Sequence, residues 1–166
     1  MRLAVCALAD LDGGLAAHRP DGVVSLLSPT QEPPSIAGGA PRLALRFHDI
    51  AEPTEGLSAM SPDQAAELLA FGAGFGEGAT LLVHCWMGIS RSPAAAFALA
   101  CAAAPTRDET EIAQALRLAS PTATPNPRLV ALADEQLGRR GRMRRAIAAL
   151  GRGADAASAA PFVLAV

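Results

Sequence analysis

The chain has 166 residues and a formal net charge of −2, which suits one compact domain and argues against a general nucleic-acid binder, a class that carries a basic excess. Hydrophobic residues make up 51% of it, enough for a core at this length, but aromatics are only 4% and Tyr is absent, so Ala, Leu and Val must fill the interior. Every basic side chain apart from His is Arg, and with the heavy use of Ala this points to a GC-rich, bacterial coding bias.

The N-terminal run Leu3 to Leu8 reads as a first strand; as a signal peptide its apolar stretch is too short, and Asp10 and Asp12 interrupt it. A short helix is expected from Leu11 to His18, then a second strand over Val23 to Leu27 closed by Ser28-Pro29. Gln31 to Pro41, rich in Pro and Gly, is a loop. Leu43, Leu45 and Phe47 alternate with Ala44 and Arg46, the period of a third strand that ends near His48.

Ser61-Pro62-Asp63-Gln64 combines a cap, a first-turn Pro and a capping-box Gln, opening a helix through Ala65, Leu68 and Leu69. Phe71 to Gly78 has Gly at alternate positions but precedes a strand instead of opening a helix, so it reads as a flexible connector and not as a phosphate loop. Leu81 to Val83 is a buried strand that runs into His84-Cys85. Pro93 to Ala104 is an almost wholly apolar helix, stopped by Pro105. Thr106-Arg107-Asp108-Glu109 reads as a second capping box, for a helix to Ala119. Asn126-Pro127 caps a fifth helix ending near Gly138, and a last one covers Arg140 to Leu150 with Gly151 as terminator.

The run Arg139, Arg140, Arg142, Arg144 and Arg145 reads first as a solvated helix face, and second as a patch that attracts a phosphorylated or acidic partner. Residues 1–150 form the expected domain. Residues 151–166 form a C-terminal tail, small-residue linker to Ala160 and then an apolar end, Pro161 to Val166, that either docks as an extended segment or stays free. Strands alternating with helices, followed by a run of helices, predict an α/β fold with a mostly parallel central sheet of about four to five strands flanked by helices.

The three cysteines, Cys6, Cys85 and Cys101, have neither disulfide-framework nor zinc-ligand spacing, and no segment approaches the length of a membrane span. A reducing, cytoplasmic setting is expected, with no cofactor, no metal and no membrane partner; oligomeric state stays open.

The chemistry is concentrated in His84-Cys85-Trp86-Met87-Gly88-Ile89-Ser90-Arg91-Ser92-Pro93. A strand ends in Cys, five residues follow, and Arg stands where a helix begins. Five residues can wrap into a cradle of inward N–H groups, to which the helix N-terminus adds donors and a positive dipole end. Gly88 permits a tight turn, and Arg91 offers a planar fork to two phosphate oxygens. The same features, with the Ser92 hydroxyl, favour the thiolate of Cys85; a free thiol, with a pKa of about 8.5, is only a few per cent ionised at pH 7.

This segment resembles the Cys-x5-Arg signature of the protein tyrosine phosphatase superfamily, in the His-Cys-x-x-Gly-x-Ser-Arg-Ser form carried by dual-specificity phosphatases and their small bacterial relatives. A chance match at the His, Cys, Gly and Arg positions is on the order of one per million start points. The resemblance is specific at residues 84–93 and weaker over the rest of Leu43 to Leu137. It implies a dual-specificity-phosphatase-like fold and a phosphomonoester hydrolase acting through a phosphocysteine intermediate. Cys85 is then the nucleophile and Arg91 the phosphate clamp, while Trp86, Met87, Gly88, Ile89 and Ser90 bind the substrate phosphate alongside Arg91.

A phosphatase also needs an acid for the leaving oxygen. Asp49 follows the third strand as Cys85 follows the fourth, and active groups of parallel sheets gather at the carboxyl ends of strands. Dual-specificity phosphatases place their acid some thirty-odd residues before the Cys, and Asp49 lies 36 before it. Glu52, Glu55 and Asp63 are competitors. Pro125-Asn126 resembles a Pro-Asn pair whose Asn helps hold the active-site loop in such phosphatases, although Asn126 also reads as a plain helix cap. His84 is expected to orient the loop by hydrogen bonding.

The expected substrate is a phosphoprotein or a small phosphomonoester, a monophosphate for preference because no charged residue lies between Cys85 and Arg91. No tyrosine-recognition loop precedes Asp49, so a shallow cleft is expected, with Trp86 and Met87 either lining it or packed beneath. Two rivals remain: a phosphate-binding pseudophosphatase module, and a rhodanese-type sulfurtransferase, which has a Cys loop of shorter span.

Overall fold

The computed structural model describes residues 1–36 and 38–166. Strands β1 (Arg2–Ala7), β2 (Gly22–Leu27), β3 (Arg42–Arg46), β4 (Thr80–Cys85) and β5 (Phe162–Ala165) form one sheet in the order β3-β2-β4-β1-β5. The first four are parallel; β5 runs antiparallel to β1 and closes that edge. The α/β architecture with a mostly parallel sheet is therefore as expected.

Among the described residues six α-helices cover the faces: α1 (Leu11–His18), α2 (Pro62–Ala73), α3 (Arg91–Ala103), α4 (Glu109–Ala119), α5 (Pro127–Gln136) and α6 (Arg142–Leu150). A small apolar cluster of Ala4, Cys6, Leu11, Val23, Ile36 and Leu82 lies on the α1 face, and the main core fills the other. There α3 is buried without a break from Arg91 to Cys101. Its run of Ala lets sheet and flanking helices come close to one central rod. At the contact with α2, a Cβ on Gly72 would collide with the side chain of Leu99, which gives this glycine a packing role.

Local signals decide where the elements begin. Ser61 and Gln64 form the reciprocal capping box of α2, at 3.2 and 3.0 Å. The helix then continues through Phe71 to Ala73, so the connector is shorter than the glycine pattern implies: burial of Leu68 and Gly72 against α3 outweighs the low helix propensity of glycine. The cap of α4 is Asp108, which accepts from the Thr110 amide at 2.7 Å; the Thr106 box does not form.

The Arg-rich segment divides. Arg139 is buried and donates to Glu109 at 3.0 Å, Pro105 O at 3.1 Å and Cys101 O at 2.5 Å, while Arg142 reaches the same buried Glu109 at 3.1 Å. Arg139 is structural, which corrects the reading of the whole run as a solvated face; Arg142 keeps its side chain 46% exposed while pairing with Glu109. Arg140, Arg144 and Arg145 are exposed. Asp134 of α5 receives the amides of Gly141, Met143 and Arg144 at 2.6, 2.7 and 3.3 Å, satisfying the start of α6.

Of the two alternatives open for the apolar end of the chain, docking is the one found. Phe162 and Leu164 are buried in β5, and the segment leading to it crosses behind the loop that follows β4.

Candidate active site

Strand register brings the site together. Ser25 of β2 lies opposite both Ala44 of β3 and His84 of β4, so the carboxyl ends of β3 and β4 reach the same rim although they are not neighbours. Cys85 ends β4, Asp49 follows β3 by three residues, and Arg91 opens α3.

The loop 86–90 is held from outside by its carbonyls. Trp86 O accepts from Leu8 N at 3.3 Å, Met87 O from Ala159 N at 2.9 Å, and Ile89 O from Thr124 N at 2.8 Å. Ser90 O accepts from Ala94 N at 3.1 Å and Asn126 N at 3.3 Å. A trans peptide points its N–H opposite to its C=O. The amides of Met87, Gly88, Ser90 and Arg91 therefore turn to the inner side of the loop, where an anion would lie. Gly88 has φ +72°, and a Cβ there would stand 3.1 Å from Ala7 N and 3.2 Å from the Cys6 carbonyl carbon, so both its conformation and its space call for glycine.

At the base of the loop, Cys85 is buried and its Sγ lies 3.1 Å from the Ser92 hydroxyl. The other two thiols are poor nucleophiles: burial pushes Cys6 and Cys101 up to about 12 each. Cys6 shares the α1-side cluster while Cys85 belongs to the main core, so the two point to opposite faces of the sheet. His84 is fully buried, and burial lowers it to about 4, which keeps the imidazole neutral. Its Nε2 lies 2.7 Å from the Ser25 hydroxyl; the hydrogen bond thus runs to the neighbouring strand and anchors the end of β4.

Arg91 is 4% exposed, which is unusual for a guanidinium and requires compensation. Its Nη1 donates to Phe47 O at 3.2 Å, its Nε stands 3.7 Å from Asp49 Oδ2, and its Cζ lies 5.9 Å from the Phe47 ring centroid. Asp49 Oδ1 accepts from the Ser90 hydroxyl at 2.8 Å and from Asn126 Nδ2 at 2.7 Å. The Asn126 Oδ1 caps α5 by accepting from Leu129 N at 2.9 Å; its Nδ2 reaches Asp49 and, at 3.3 Å, Ile50 O, and it is the backbone N–H of Asn126, not its side chain, that meets the loop at Ser90 O. Glu52, Glu55 and Asp63 are exposed and make no contact with the loop among the described residues. Trp86 and Met87 are 61% and 40% exposed, so they stand at the mouth of the loop and do not pack beneath it.

Five contributors carried no functional signal in the sequence. Leu8, Phe47, Ser25, Thr124 and Ala159 act through a carbonyl, a hydroxyl or an amide whose role depends on tertiary placement. Only Phe47, next to His48-Asp49, sits where a motif search would pass. Among the described residues, no group of three His, Cys, Asp or Glu is placed to hold a metal ion, and no helix is long and apolar enough to cross a membrane.

The arrangement pairs an anion cradle with a thiol at its floor, a buried guanidinium at its wall and a carboxyl at its rim. The fold that presents it is that of the dual-specificity phosphatases. The chain is similar to the crystal structure of DUSP15 (19% identity, TM-score 0.61, covering 89% of this chain and 90% of that one) and to human DUSP28 (22% identity, TM-score 0.60, 83% and 89%). It is also similar to a mouse protein assigned to the dual specificity phosphatases and complexed with zinc tungstate (19% identity, TM-score 0.51, 80% and 77%). At these identities the likeness is one of fold. No family profile and no curated protein sequence matches the chain.

Proposed function

We propose that the protein is a phosphomonoester hydrolase of the protein tyrosine or dual-specificity phosphatase type, working through a phosphocysteine. The observation that carries this reading is the joining of Asp49, Ser90, Arg91 and Asn126 on the loop that begins at Cys85. A sulfurtransferase has no use for a carboxyl held at that rim.

In this reading the phosphoryl group enters the cradle, its oxygens on the loop amides and the Arg91 fork. The Cys85 thiolate attacks phosphorus; the S–P bond forms as the P–O bond to the leaving group breaks, and Asp49 gives that oxygen its proton. Water then attacks the phosphocysteine, Asp49 takes its proton, and inorganic phosphate departs with the thiolate restored. The Ser92 hydroxyl donates to the sulfur as it becomes a leaving group. Asn126 and Ser90 fix the carboxyl so that one residue serves both steps.

The exposed Trp86 and Met87 support a shallow entrance suited to protein phosphoresidues. The Lys-free composition supports a bacterial origin, and three free thiols support a cytoplasmic setting.

The test is hydrolysis of para-nitrophenyl phosphate across pH by wild type, Cys85→Ser and Asp49→Ala. The expected results are turnover by wild type, none by Cys85→Ser, and loss in Asp49→Ala of the limb set by deprotonation of the acid. Phosphate or vanadate binding without turnover in wild type would favour a phosphate-binding module. Turnover that survives Cys85→Ser would refute the mechanism.

A further inference from the structure

Beside the loop lies a groove of about 900 Å³ that the catalytic reading does not use. It begins at Ala51 and Glu52, just past Asp49, and at Thr124 and Pro125, just before Asn126. It continues between α5 and α6, so it opens directly off the rim where the acid is held.

Its chemistry is lopsided. Arg128, Arg144, Arg145 and Arg152 line it, and Glu52 is the sole acidic lining residue. Arg128 is tethered through Nε to Met60 O at 2.7 Å, leaving the rest of its fork uncommitted to any protein group among the described residues. Arg144 enters no ion pair there, and Arg145 donates only to Arg140 O, at 3.4 Å. Arg152 pairs with Asp155, an exposed contact of small worth. Between the guanidinium groups the floor is aliphatic, from Val130, Leu132 and Ile147. No aromatic side chain is present to stack a nucleobase, which removes the main means of holding single-stranded nucleic acid.

A small phosphate ester fills the loop and leaves this groove empty. A longer substrate with its phosphoryl group in the loop that extends on the Asp49 side passes over Ala51 and Pro125 into this groove. We propose that the groove receives an acidic polypeptide segment flanking the phosphorylated residue, an inference that rests on the phosphatase reading. Carboxylates meet the Arg rim, and the aliphatic floor accepts the intervening side chains and backbone. The loop supplies the chemistry and the groove supplies the preference.

The test compares three substrates with one enzyme preparation: para-nitrophenyl phosphate, a phosphotyrosine peptide flanked on both sides by Glu, and the same peptide with Gln in place of Glu. Wild type is expected to favour the Glu peptide by about tenfold in kcat/KM, with the difference in KM and fading as salt is raised. The exposed double variant Arg144→Glu/Arg145→Glu should erase that preference while para-nitrophenyl phosphate turnover stays within about twofold of wild type, showing an intact fold. Arg144→Gln/Arg145→Gln should fall between. Equal kcat/KM on the two peptides in wild type, or a preference that survives both double variants, would overturn the proposal and leave the phosphatase reading standing. Stronger inhibition of peptide turnover by single-stranded DNA than by the unphosphorylated Glu peptide would also overturn it, in favour of nucleic acid. Absence of any turnover of para-nitrophenyl phosphate would instead remove the phosphatase reading, and this proposal with it.

Discussion

Asn126 illustrates how much of the site hangs on single side-chain atoms. Its oxygen caps α5 and its nitrogen holds Asp49, so replacing it with Asp should keep the first contact and turn the second into repulsion. Asn126→Asp is therefore expected to retain its unfolding midpoint to within about 1 kcal/mol and lose about tenfold or more in kcat; chemical denaturation and steady-state kinetics would separate the two effects. His84 makes a pH prediction. Its folded value is pushed down to about 4 from 6.5 by burial, so the unfolded chain binds the proton more readily between those values. Stability from this group is complete above pH 6.5 and declines as pH falls toward 4, by at most about 3 kcal/mol. Urea denaturation across that interval should show the slope in wild type and a flatter one in His84→Gln.

At the level of elements, the loop 86–90 is shaped less by its own sequence than by what grips its carbonyls. Leu8 after β1, Thr124 before α5 and Ala159 before β5 each supply an amide from a different part of the chain. Gly88 lies within this grip. Gly88→Ala must place a Cβ against Ala7 and Cys6 backbone at positive φ, and is expected to lower kcat/KM by about 100-fold through displaced loop amides. Vanadate or phosphate titration would report the same loss in the ground state. Cys85, Arg91 and Gly88 stand out in the sequence because a thiol, a fork and a turn have fixed spacing within ten residues, and Asp49 because strand ends share a rim. Thr124 and Ala159 do not, since a backbone amide carries no residue-type signal. The α4 cap is Asp108 and not Thr106: Thr and Asp are both good caps, and only the backbone path decides between them. Arg139 looked like surface because its carboxylate partner, Glu109, is 30 residues away in sequence.

At the scale of the whole molecule, the strand alternation was enough for the α/β class, while the part played by the C-terminal segment was not. That segment is short, rich in small residues and without periodicity, yet it closes the sheet edge through β5 and touches the loop 86–90 through Ala159. Truncation after Gly151 should accordingly lower both the unfolding free energy and phosphate affinity, measured by denaturation and vanadate inhibition on the same preparation. Unchanged values would mean that β1 and the loop hold their places alone. The sheet places a thiol and a carboxyl at one end, the Ala-rich α3 aims its N-terminus between them, and α5 with α6 adds the Arg-lined groove alongside.

The proposed function stands or falls on Cys85 taking the phosphoryl group. The most direct measurement is mass spectrometry of protein denatured rapidly during turnover of para-nitrophenyl phosphate, with peptide mapping. The expected result is an adduct of one phosphoryl group on Cys85, absent in Cys85→Ser and formed more slowly in Asp49→Ala. Steady turnover with Cys85 unmodified, or with the phosphoryl group on another residue, would contradict it.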